Sequence, residues 1–154
     1  MVKTPVFKGS CTAIVTPFTQ TGIDYERLEK NIDFQYENGS AAILVNGTTG
    51  EAATQSPCEL NETLRQAVKF NGGRMKLIAG IGSNNTQSAL INAENAKSAG
   101  ADAVLMVTPY YNKTSQKGLI EHFSYVADRV DIPIILYNAV SYTHLRAHET
   151  LRHL

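Results

Sequence analysis

A chain of 154 residues with 43% hydrophobic and 18% charged residues has the make-up of one globular domain, not of a disordered segment. Lysine plus arginine number 14 and aspartate plus glutamate number 14, so no net field draws in nucleic acid or an anionic membrane, and neither is expected as a partner. Cys11 and Cys58 cannot form a disulfide framework or a CxxC metal site, and no stretch approaches the ~18 apolar residues of a membrane span, so a cytoplasmic chain is expected.

In chain order, five short apolar runs rich in β-branched residues read as strands: Thr12 to Val15, Ala41 to Val45, Lys76 to Ala79, Ala103 to Val107 and Ile132 to Tyr137. Their near-continuous apolarity suits strands buried on both faces. Helical stripes lie between them, with Tyr25, Leu28, Ile32 and Tyr36 on one and Leu119, Phe123, Val126 and Val130 on another. Ser56-Pro57-Cys58-Glu59 reads as a capping box, and Asp24, Thr86 and Ser115 are the expected caps of the other helices. Gly39, Gly72 and Gly100 stand where those helices must stop.

The strand starts recur about 27 to 35 residues apart, which is the period of a βα repeat with parallel strands. An open doubly wound sheet and an arc of a (β/α)8 barrel both fit. The loops NGTTGE, GSNNT, TPYYNK and YN follow four successive strands, and that gathering of polar groups favours the C-terminal mouth of a barrel. A whole barrel takes ~250 residues, so the expected fold is an N-terminal portion, four βα units plus a fifth strand. Residues 1–138 form this partial domain. Residues 139–154 hold no Gly, Pro or Lys but three of the four histidines, and are read as a tail foreign to it, artefactual or disordered.

Gly47-Thr48-Thr49-Gly50-Glu51 can bring backbone N–H groups against a carboxylate or phosphate, or can be an ordinary βα turn; spacing does not decide between them. Of the adjacent Tyr110 and Tyr111, one can reach the mouth while the other packs. Tyr137 closes the fifth strand, where a phenol could move protons. Gly80-Ile81-Gly82-Ser83 lacks the third glycine of a dinucleotide fingerprint. His144 and His148 have the spacing of helical metal ligands but no third ligand or catalytic glutamate, so no metal is expected.

Taken in register, Gly9-Ser10 to Thr16-Pro17-Phe18, Gly47-Thr48-Thr49-Gly50-Glu51, Ala79 to Asn84, Thr108-Pro109-Tyr110-Tyr111-Asn112 and Ile134 to Asn138 resemble the dihydrodipicolinate synthase family over roughly residues 5 to 138. The resemblance implies a (β/α)8 lyase that condenses pyruvate with aspartate semialdehyde to 4-hydroxy-tetrahydrodipicolinate on the diaminopimelate route to lysine. It implies a lysine Schiff base, no cofactor, and a homotetramer built from tight dimers. Carried over by position, Thr48 and Tyr137 are members of a proton relay, Tyr111 is the member that crosses to a second subunit, and Thr49 holds the pyruvate carboxylate. N-acetylneuraminate lyase and the 2-keto-3-deoxy-sugar-acid aldolases share the scaffold, but the Thr48-Thr49 pair favours the lysine-pathway chemistry.

Departures from the family pattern begin after Asn138. Tyr142 stands where the family carries an arginine, and no lysine follows Lys117, so the Schiff-base lysine of the sixth strand is missing and these residues are expected to be inactive alone. Of the family's lysine-feedback positions, Asn84 and Tyr110 match while Pro57 and Ser88 do not. A non-catalytic half-barrel that binds a partner, or an open-sheet binding protein, are the other readings.

Overall fold

A computed structural model describes residues 5–112 and 114–139. The order is β1 (Cys11–Ala13), β2 (Phe18–Thr19), β3 (Gly22–Ile23), α1 (Tyr25–Glu37), β4 (Ala42–Val45), α2 (Pro57–Asn71), β5 (Lys76–Gly80), α3 (Thr86–Ala99), β6 (Ala103–Val107), α4 (Gln116–Ala127) and β7 (Ile134–Tyr137). Strands β1, β4, β5, β6 and β7 form one parallel sheet in that order, and β2 with β3 makes a small antiparallel hairpin. A doubly wound sheet must reverse its strand order at a switch point. Here the order runs one way, so right-handed crossovers lay all four helices on the same face, and α1, α2, α3 and α4 pack each on the next.

Register separates the two faces. Residues paired across parallel strands point to the same side, so Ala13, Leu44 and Ile78, with Ala103, Leu105, Ile135 and Tyr137, share the helix-free inner row. The alternate residues Ile43, Val45, Leu77, Ala79, Val104 and Met106 are fully or almost fully buried under the helices, with Leu28, Ile32, Leu64 and Val126. The inner row is filled only near the N-terminal strand ends, where Val6 and Phe7 pack with Ala42, Ile78 and Ala103. Both-face burial, the sequence expectation, therefore holds for the middle strands only. Strand β1 is largely exposed, and Leu136 and Tyr137 at the end of β7 are 58% and 46% exposed.

Capping follows local chemistry closely. The Ser56 hydroxyl accepts from the Glu59 N–H at 3.3 Å, and Glu59 Oε2 accepts from the Ser56 N–H at 2.8 Å. That return bond, with the one from the Ser56 hydroxyl, holds the Glu59 carboxyl below its ordinary range. Asp24 and Ser115 cap as expected. Thr86 does not: Asn85 is the cap, accepting from the N–H groups of Gln87 and Ser88. The Thr86 hydroxyl is instead hydrogen-bonded to His122 Nδ1 at 2.8 Å, which draws it away from the helix end. Tyr36 also departs from its expected stripe: it is exposed, with the Arg74 guanidinium 4.9 Å from its ring centroid and Arg74 ion-paired to Asp33.

His122 ties α4 to the start of α3. It is buried, its Nε2 has no partner among the described residues, and burial pushes its pKa below the ordinary 6.5. The unfolded chain therefore takes up the His122 proton first as pH falls. This contribution to stability is complete above about pH 6.5 and declines below it, by up to about 1.4 kcal/mol per pH unit until the folded pKa is passed. The thermal midpoint should fall more between about pH 7 and pH 5 in the wild type than in His122→Gln. Equal slopes would remove His122 as the cause.

Candidate functional site

The Gly47–Glu51 turn leaves β4 through Asn46, a buried residue at φ 57 whose Nδ2 donates to the Leu60 carbonyl at 2.8 Å. The left-handed backbone there swings the chain over the sheet edge, a conformation that asparagine tolerates better than most residues. Gly50 N–H then closes on the Gly47 carbonyl at 3.1 Å and Glu51 N–H on the Thr48 carbonyl at 3.0 Å, before a short 3-10 turn at Ala52–Thr54. Among the described residues the N–H groups of Thr48 and Thr49 donate to nothing, and both threonines are exposed. The turn thus satisfies its second half internally and leaves two adjacent donors and two hydroxyls for an acceptor.

Buried polar residues brace this turn from behind. Gln55 Nε2 donates to the Gly50 carbonyl at 2.7 Å and to the Thr16 hydroxyl at 3.4 Å, while Gln55 Oε1 accepts from the Thr63 hydroxyl at 3.3 Å. Thr16, Gln55 and Thr63 are all buried, so each bond is made where water cannot replace it. Sequence reasoning missed Gln55 and Asn46. The signal available was a polar residue at the boundary of an apolar segment, but Gln55 meets Thr16 across 39 positions, a pairing that no local pattern encodes.

Tyr137 stands beside Val107 on the inner row, and its carbonyl accepts from the Thr108 N–H at 3.2 Å. Its ring and the Thr48-Thr49 pair therefore belong to the same C-terminal strand rim. Thr108, fully buried, has a hydroxyl with no partner among the described residues. Tyr111 is the outlier: it is 88% exposed at φ 65, with its ring edge-on to Tyr110 at 5.8 Å. A bulky residue held at positive φ is strained. No described contact joins Tyr111 to Thr48, Thr49 or Tyr137, so the fold turns it outward from the rim. Asn112 Nδ2 pins this loop to the Asn84 carbonyl at 3.2 Å.

Behind the rim, on the helix side, Asn46, Leu60, Ile81 and Asn92 line a small shallow cleft that opens to solvent between α2 and α3. It lies across the sheet from the inner row. No group of three or more His, Cys, Asp or Glu able to hold a metal occurs among the described residues; His144 and His148 lie outside them. No helix among the described residues is long and apolar enough to cross a membrane.

The sequence pattern of the Dihydrodipicolinate synthetase family matches residues 6–149. A 4-hydroxy-tetrahydrodipicolinate synthase of Thermoanaerobacter sp. (strain X514) is 52% identical over 141 residues, covering 92% of this chain and 48% of the relative. One from Staphylococcus haemolyticus is 43% identical over 152 residues, 96% of this chain and 52% of the relative. The crystal structure of dihydrodipicolinate synthase from Aquifex aeolicus superposes with a TM-score of 0.86 at 50% identity, over 88% of this chain and 46% of that one. The chain spans about half the length of the curated relatives it matches. Its one-directional parallel sheet is the N-terminal portion of a (β/α)8 barrel, and the chain belongs to the Dihydrodipicolinate synthetase family.

Proposed function

We propose that these residues supply the carboxylate cradle and the proton-carrying hydroxyls of a pyruvate-condensing lyase of lysine biosynthesis. The observation that carries this reading is the pair of unspent N–H groups at Thr48 and Thr49 on the same strand rim as Tyr137. Two neighbouring backbone donors suit a carboxylate better than a single charge does, because they fix its plane as well as its position. The Thr49 hydroxyl adds a third donor to pyruvate.

The proton steps of imine and carbon–carbon bond formation fall to Thr48 and Tyr137, neutral groups that relay a proton without leaving a charge in the pocket. Tyr111 joins the relay from a second copy of the chain, in keeping with its outward setting and strained backbone. Aspartate semialdehyde is the second substrate, the assembly a homotetramer of tight dimers, and the setting cytoplasmic. The partial barrel ends at residue 138. From Ala139 to Leu154 no lysine is present, so the 154 residues by themselves do not form the Schiff base.

Titrating the chain with pyruvate while following backbone amide resonances tests the cradle without requiring catalysis. The Thr48 and Thr49 amides should shift together and saturate. Acetone, which lacks the carboxylate, should leave them unmoved. Shifts spread over the helix-side cleft with Thr48 and Thr49 unchanged would refute the assignment.

A further inference from the structure

We propose that Gln55 is a positioning residue that locks one peptide plane of the Gly47–Glu51 turn, and through it sets the affinity of the Thr48 and Thr49 amides for a carboxylate. The Gly50 carbonyl and the Glu51 N–H belong to a single planar trans peptide unit, so fixing one aims the other the opposite way. Gln55 Nε2 holds that carbonyl at 2.7 Å, and the Glu51 N–H closes on the Thr48 carbonyl at 3.0 Å. The lock works against the preference of the residue it holds. Glu51 stands at φ 55 and its side chain makes no capping bond, so its backbone is kept there by its surroundings. Rotating the Gly50–Glu51 peptide by about half a turn would return Glu51 to negative φ, and Gly50, without a Cβ, does not resist the change. The same rotation would turn the Gly50 carbonyl toward the Thr48 carbonyl. Repulsion between the two oxygens would open the turn that presents the free Thr48 and Thr49 N–H groups.

A carboxamide suits this task because one side chain supplies both a donor and an acceptor. Gln55 donates to the Gly50 carbonyl and the Thr16 hydroxyl, and its Oε1 accepts from the Thr63 hydroxyl. Thr63 is fully buried on α2, one helical turn beyond Leu60, whose carbonyl accepts from Asn46 Nδ2 at 2.8 Å. One face of α2 therefore grips the turn on both sides, through Asn46 before it and through Gln55 after it. Asn46 at φ 57 and Glu51 at φ 55 are the two non-glycine residues of this segment with positive φ, and both are tied to that helix. The effect on pyruvate rests on the function proposed above, whereas the lock itself does not.

Amide hydrogen exchange on the full chain reads the lock without a ligand, and the pyruvate titration reads its effect on binding. In Gln55→Met, which keeps the length but loses the donor, the Glu51 amide should exchange about 10-fold or more faster than in wild type, beyond any change at the Leu90 amide in the middle of α3. Thr63→Val, which replaces only a hydroxyl, should act in the same direction, and Thr63→Ser should behave as wild type. Pyruvate should bind Gln55→Met about 10-fold or more weakly, while Gly73→Ala, which lowers stability at the opposite end of the sheet, should bind it as wild type does. Glu51 exchange unchanged in both Gln55→Met and Thr63→Val would overturn the lock. Faster exchange with unchanged pyruvate affinity, or an equal loss of affinity in Gly73→Ala, would overturn the positioning role. A wild-type chain whose Thr48 and Thr49 amides ignore pyruvate would instead refute the proposed function, and the exchange comparison would still decide the lock.

Discussion

Pyruvate followed by borohydride should leave this polypeptide at its original mass. Trapping needs an amine that can form an imine beside the cradle, and neither Lys76 nor Lys117 stands there. Lys117 is 87% exposed on α4 and 3.8 Å from Glu121. Lys76 is the only described lysine on the inner row, but it starts β5, at the end of the sheet opposite the rim, with its ammonium 2.6 Å from Asp102. No lysine follows Lys117 in the sequence. Arginine stays protonated and histidine forms no such imine, so a rate enhancement of ~10⁶-fold or more, the ordinary range of enzymes, should be absent from the chain on its own. A stable adduct of one pyruvate per chain would contradict this.

Gly80→Ala should destabilise the chain more than any other single methyl added to the sheet. A Cβ at Gly80 would lie 2.7 Å from the Asn46 carbonyl carbon and 3.0 Å from the Gly47 nitrogen. Both are backbone atoms of the strand end that launches the cradle, so no side-chain rotation relieves the clash. Overpacking a core costs about 1–3 kcal/mol and occasionally more, and this case belongs at the upper end. For a chain of this size that is a fall of roughly 10 °C in thermal midpoint. Gly73→Ala is the control. Its Cβ meets nothing within 4 Å, and only the positive φ of 77 is unfavourable, worth about 1–2 kcal/mol. A Gly80→Ala chain as stable as wild type would mean that the β4 and β5 strand ends are not packed as described.

What could be read from the sequence was what local chemistry determines. The Ser56 capping box spans four residues and involves only their own side chains and backbone, so its pattern was sufficient. The strands Ala42–Val45 and Ala103–Val107 sit in the middle of the sheet, where continuous apolarity matches burial. Thr86 and Asn85 can both cap, and the choice between them was made by His122, 36 positions away. The β2–β3 hairpin went unseen because two-residue strands carry no alternation to read. At the candidate site, the family resemblance proposed Thr48, Thr49 and Tyr137, and the strand ends that they follow put them on one rim. Which amides of the turn remain free depends on how Gly50 and Glu51 close it, and Gln55 holds that closure through a contact that the sequence does not display.

In the proposed function this chain contributes the cradle and hydroxyls of the lyase but not its amine. The most direct test is borohydride trapping with pyruvate on residues 1–138 of this chain joined in one polypeptide to the remaining half of the Thermoanaerobacter relative, followed by peptide mapping of the adduct. The adduct should map only to a lysine of the relative's segment and form about 10²-fold or more slowly when the segment from this chain carries Tyr137→Phe. An adduct mapped to a lysine of this chain, or one whose formation ignores Tyr137→Phe, would contradict it.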